Sequence, residues 1–108
     1  MDRKMHIHTV FFWLNDDMDD ADRQRFADEL NLLMSDPNIS DGNFGTPAAT
    51  DRPVIDSSYD YGMVLKFRNL AAQEAYQKSS EHDRFIDNCA HMWSRIQVYD
   101  INESLAAE

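Results

Sequence analysis

The chain has 108 residues, 43% of them hydrophobic and 28% charged, with 20 acids against 10 bases for a formal net charge of −10. That length makes one domain, residues 1–108, with a core small enough that a partner is expected to bury part of its apolar surface. The charge excludes nucleic acid and anionic membrane as partners, because both need basic patches.

Cys89 is the single cysteine, so no internal disulfide is expected and a reducing compartment fits. The start, Met1-Asp-Arg-Lys-Met-His6, lacks an apolar signal core, and no apolar run approaches a membrane span. The expectation is a soluble, cytoplasmic protein.

Met5–Leu14 (MHIHTVFFWL) is the strongest strand signal, rich in β-branched and aromatic residues. His6, His8, Val10, Phe12 and Leu14 share one parity, and Met5, Ile7, Thr9, Phe11 and Trp13 share the other. Both faces are largely apolar, so the strand is expected to be covered on both sides. A small domain supplies helices for one face only, and a second copy of the chain is the simplest cover for the other.

An acidic turn, Asn15 to Asp20, leads to a helix over Asp19–Met34, capped by Asp19 or Asp20. Its buried stripe is Phe26, Leu30, Leu33 and Met34, and Asp36-Pro37-Asn38 ends it. Ile39–Ala48 reads as a weaker strand loosened by Gly42 and Gly45, with Pro47 suited to an edge. Asp51–Ser58 is a loop whose apolar residues, Val54 and Ile55, are candidates to fold over a pocket mouth. Tyr59–Arg68 alternates, with Tyr59, Tyr61, Met63, Leu65 and Phe67 on one face. Gly62, on the other face, admits a close neighbour.

Asn69 can cap a short helix, Leu70–Lys78, which ends near Tyr76. After Ser79-Ser80 a longer helix, Glu81–Ser94, carries His82, Phe85, Ile86, Cys89, Met92 and Trp93 on one stripe. Cys89 reads as an inert core residue. Arg95–Ile101 is the last strand. The order predicts an α+β fold: a ferredoxin-like βαββααβ protomer with a four-stranded antiparallel sheet and helices on one face.

Tyr76 and His82 flank the helix break and are the side chains of that stretch suited to proton transfer or ligand hydrogen bonding. A histidine at a helix start feels the positive end of the dipole, which favours the neutral, basic ring. His6 and His8, two apart on a strand, share a face and could grip a metal, with His82 as a third ligand. No fourth ligand is placed, so a metal is not expected.

The set His8-Thr-Val-Phe-Phe-Trp-Leu14, Tyr59-Asp-Tyr61, Ala75-Tyr76 with His82-x-x-Phe85, and Val98-Tyr-Asp100 resembles the stress-responsive A/B barrel (Dabb) domain family of the dimeric α/β-barrel superfamily. The resemblance runs from about His6 to Ile101. It implies a homodimer whose two sheets face each other as a barrel. It also implies, by analogy with the family's plant polyketide cyclase chemistry, an aldol closure without cofactor.

In that analogy His82 and Tyr76 take the places of the key histidine and tyrosine, and His8 that of a further pocket histidine. Tyr61 stands where the family cyclase has another histidine, and Ser79-Ser80 replaces a frequent His-Pro. An aldol step needs a base for the carbon acid and a donor for the developing oxyanion. His82 is the candidate base and Tyr76 the candidate donor, with Tyr61 or His8 as a second donor. Val10, Phe12, Met63, Phe85 and Trp93 would line a cavity for a small apolar or aromatic ligand. Two alternatives stand beside this reading: a ligand-binding or stress-protective homodimer without turnover, and a cofactor-free monooxygenase of the same superfamily.

Overall fold

A computed structural model describes residues 4–104. In chain order the elements are β1 (His6–Leu14), α1 (Asp20–Leu33), β2 (Asp41–Gly45), β3 (Tyr61–Phe67), α2 (Leu70–Gln77), α3 (Ser80–Cys89), a turn of 3-10 helix (Ala90–Met92) and β4 (Trp93–Asn102). The sheet is antiparallel in the order β2-β3-β1-β4. This is the ferredoxin-like arrangement the sequence predicts.

The helix starts follow from their caps. Asp19 accepts from Asp22 N at 2.8 Å while the Asp22 carboxylate accepts from Asp19 N at 3.2 Å, a reciprocal capping box. Asn69 Oδ1 accepts from Ala72 N at the head of α2. Ser79 Oγ accepts from His82 N at the head of α3. Each cap satisfies an amide that the helix itself leaves unpaired.

The parity read along β1 holds. His8, Val10, Phe12 and Leu14 are buried under the helices, and the alternate residues lie on the helix-free face. The core joins them to Phe26, Leu30 and Leu33 of α1, to Met63, Leu65 and Phe67 of β3, and to Tyr76, Phe85, Cys89 and Met92. On the helix-free face, a Cβ at Gly62 would stand 3.1 Å from the Phe11 ring and 3.3 Å from Tyr59, so these rings are the close neighbours the glycine admits.

Three placements differ from the sequence reading. Tyr59, read on the face of Met63, lies before β3 and packs on Phe11 on the helix-free face. α3 stops at Cys89, and Trp93 opens β4 instead of ending the helix. No Gly or Pro marks this stop, which is made by the 3-10 turn. The loop carrying Val54 and Ile55 crosses the helix-free face, where Trp13 Nε1 donates to Ser58 Oγ at 3.1 Å and Tyr59 packs on Phe11. Val54 is 79% exposed and covers no pocket mouth. Among the described residues no helix is long and apolar enough to cross a membrane.

Candidate functional site

A cavity of about 120 Å³ lies between the sheet and the two later helices. Its walls include His8, Val10 and Phe12 from β1, Met63 from β3, Tyr76 from α2, His82 and Phe85 from α3, and Trp93 from β4. Eight of the nine residues singled out in the sequence therefore meet at one place. Four more, Gln77, Ile86, Ile96 and Val98, complete the lining.

Ser79 sets the Tyr76–His82 pair. Its hydroxyl donates to the Tyr76 carbonyl at 2.7 Å and accepts from the His82 amide at 3.1 Å. One side chain thus ends α2 and starts α3, and the tight junction brings the two rings to 5.0 Å, edge to face. A residue that reads as a polar break proves to be the clamp of the site.

The environments of the pair favour opposite roles in proton transfer. Tyr76 is 1% exposed, and burial, aided by the nearby charge of Asp36, pushes its phenol well above the ordinary tyrosine range. It stays protonated and can donate a hydrogen bond. His82 is half-buried, and burial moves its pKa below the ordinary 6.5. The adjacent His8 acts in the same direction, while Asp83 and Asp36 oppose it. The ring is neutral at pH 7 and can accept a proton. Among the described residues neither the Tyr76 hydroxyl nor the His82 ring nitrogens make a hydrogen bond, so both remain available to a ligand.

His8 is held from the neighbouring strand. β1 and β4 pair with His8 opposite Asp100, and Asp100 Oδ1 lies 2.6 Å from His8 Nδ1. An ionised carboxyl only accepts, so His8 donates to it from Nδ1. The buried Gln73 amide packs beside the same nitrogen, at 3.2 Å. His6 also turns toward Asp100, at 3.8 Å. Among the described residues, no three His, Cys, Asp or Glu side chains are grouped so as to hold a metal ion.

The two candidate second donors, His8 and Tyr61, are placed differently. His8 stands in the cavity wall with its Nδ1 held by Asp100. Tyr61 is absent from the cavity wall. It lies at the first residue of β3, against α1, where its hydroxyl donates to the Arg23 carbonyl at 3.2 Å and its ring packs on Phe26. It shares the parity of Met63 but sits too far toward the end of the strand.

Comparison with solved structures gives the same fold at low identity. A Dabb family protein with a ferredoxin-like fold from Mesorhizobium loti is 21% identical with a TM-score of 0.76, covering 94% of this chain and 98% of that one. A dimeric ferredoxin-like protein of unknown function from Thermobifida fusca is 19% identical with a TM-score of 0.76, covering 93% and 92%. A hydroxynitrile lyase from Passiflora edulis is 15% identical with a TM-score of 0.80, covering 99% and 100%. A comparison with curated proteins found no match. The family model for the stress responsive A/B barrel domain matches residues 7–103, nearly the whole of the sheet and helices described above, and the chain belongs to that Dabb family.

Proposed function

We propose that the cavity is a small-molecule site for cofactor-free acid–base chemistry, with His82 as base and Tyr76 as oxyanion donor. The observation that carries this reading is the pairing of a protonated phenol with a neutral imidazole, neither hydrogen-bonded, on one apolar wall. In the step envisaged, His82 takes a proton from a carbon beside a carbonyl, and the electron pair of the C–H bond moves onto the carbonyl oxygen. Tyr76 donates to that oxygen as it becomes an enolate. His8, oriented by Asp100, stands on the facing wall as a further hydrogen-bonding group.

Proton exchange tests this without knowledge of the natural substrate. In D₂O the protein should speed the loss of methyl protons from acetophenone, measured by NMR, above the buffer rate. His82→Ala should abolish the gain. Tyr76→Phe should lower it by roughly tenfold to a thousandfold, the scale of one oxyanion donor. Buffer-rate exchange with retained binding would favour the non-catalytic ligand-binding reading. Bleaching of a quinol with oxygen uptake would favour the monooxygenase.

The protein is further proposed to act as a homodimer through the helix-free sheet face. Tyr99 and Ile101 are 57% and 49% exposed there, beside Phe11 and Trp13. A stable pair should bury more than roughly 1,200 Å² in total. Sedimentation as a monomer at micromolar concentration would remove this proposal. The buried lone cysteine fits a reducing, cytoplasmic setting.

A further inference from the structure

Two features of the cavity restrict what it can hold. The first is size. At about 120 Å³ it falls below the roughly 300–1,000 Å³ of ordinary ligand pockets. It is close instead to an apolar cavity of about 150 Å³ that takes one benzene. The extra room is outward only, through a rim made by Ile86, Ile96 and Val98, which are 37%, 42% and 40% exposed. The second is charge. Among the described residues no Lys or Arg lines the cavity. Asp100 stands 2.6 Å from His8, and the charge of Asp36 reaches both Tyr76 and His82. An anionic ligand would lose its water with two acids close behind the lining and, among the described residues, no Lys or Arg in the wall to offset it, a costly burial.

We infer that the occupant is a neutral carbonyl compound of a single ring, with its oxygen at Tyr76 and its ring edge at the aliphatic rim. This rests on the small-molecule reading above and narrows it. Extended poly-ketone chains and ring carboxylates are excluded from the wild-type site.

Three probes separate the possibilities: acetophenone, its near-isosteric anion benzoate, and the two-ring 2-acetylnaphthalene. Each is titrated at pH 8, where His82 is neutral, while the ring resonances of Tyr76 and His82 are followed by NMR. Acetophenone should bind. Benzoate should bind at least about tenfold more weakly, as an unpaired buried charge demands. 2-Acetylnaphthalene should also be at least about tenfold weaker, because its second ring must press against the Ile96 and Val98 rim. Ile96→Ala with Val98→Ala, both at half-exposed rim positions, should restore its binding, and the single Ile96→Ala variant serves if the pair does not fold. If benzoate or 2-acetylnaphthalene binds the wild type as well as acetophenone, this inference is overturned while the small-molecule site stands. If none of the three moves the Tyr76 or His82 resonances, both fall together.

Discussion

The helix side of the sheet has two flanks, and they are finished differently. β3 and β4 both pair with β1, so Met63 and Val98 stand on either side of Val10 and face the same way. On the β3 flank Met63, Leu65 and Phe67 are 4%, 0% and 0% exposed, because α2 packs over that strand. On the β4 flank Ile96 and Val98 remain 42% and 40% exposed. Both flanks are apolar and antiparallel to β1, but β3 is an inner strand that also pairs with β2 and lies under α2, whereas β4 is the edge of the sheet. The covered flank holds the fold together, and the uncovered one leaves the opening through which the Tyr76–His82 wall is reached.

The sharpest way to break that contrast is to truncate one aliphatic residue on each flank. Leu65→Ala should cost about 2–5 kcal/mol, the range for a fully buried leucine in a packed core. Ile96→Ala should cost less than about 1 kcal/mol, since much of its side chain stays wet in the folded state. Urea unfolding of the two variants measures this directly, and equal losses would mean that the β4 flank is covered in solution.

A smaller effect is expected from pH at the boundary between the flanks, where His82 sits. Burial holds its folded pKa below the 6.5 of an exposed histidine. The unfolded chain therefore takes up a proton more readily than the folded one. The stability tied to this group is complete above about pH 6.5 and falls as the pH drops through the lower folded value. His82→Gln should remove that part of the decline between about pH 7.5 and about pH 5, and unchanged pH dependence in the variant would show that the ring is hydrated in the folded state.

The expected effect at Cys89 is none. It lies on the covered side at 0% exposure, and burial pushes its thiol up to about 12. A thiol reagent at about pH 8 should leave it unmodified until the chain is unfolded. Rapid labelling of the native protein would mean that α3 opens far more readily than its packing implies.

Much of this architecture is legible in the chain because it depends on local chemistry. Asp19 and Asn69 announce helix starts by residue type alone, and strict alternation gives the inward set of β1. Tyr76 and His82 can be paired because a polar break separates two amphipathic stretches. What stays hidden depends on neighbours distant in sequence. Nothing near Asp100 reveals that it stands opposite His8, because the register of β1 against β4 is a tertiary fact. Ile96 and Val98 read as ordinary strand residues, since no pattern tells an edge strand which helices will pass over it. Tyr61 misled for a related reason: parity gives the face of a strand residue but not its distance from either end, and two residues of travel put it against α1.

The opening beside β4 also governs how fast the site can trade its contents. It is formed by aliphatic side chains on a strand and a helix, with no loop lying across it among the described residues. Among the described residues no segment has to unfold or swing aside for entry, so association should not wait on a conformational step. A weakly held neutral molecule would come and go many times per second, with residence set by affinity alone. The site would then follow changes in the concentration of a small compound almost without delay, and would keep no bound molecule once the surrounding supply was gone.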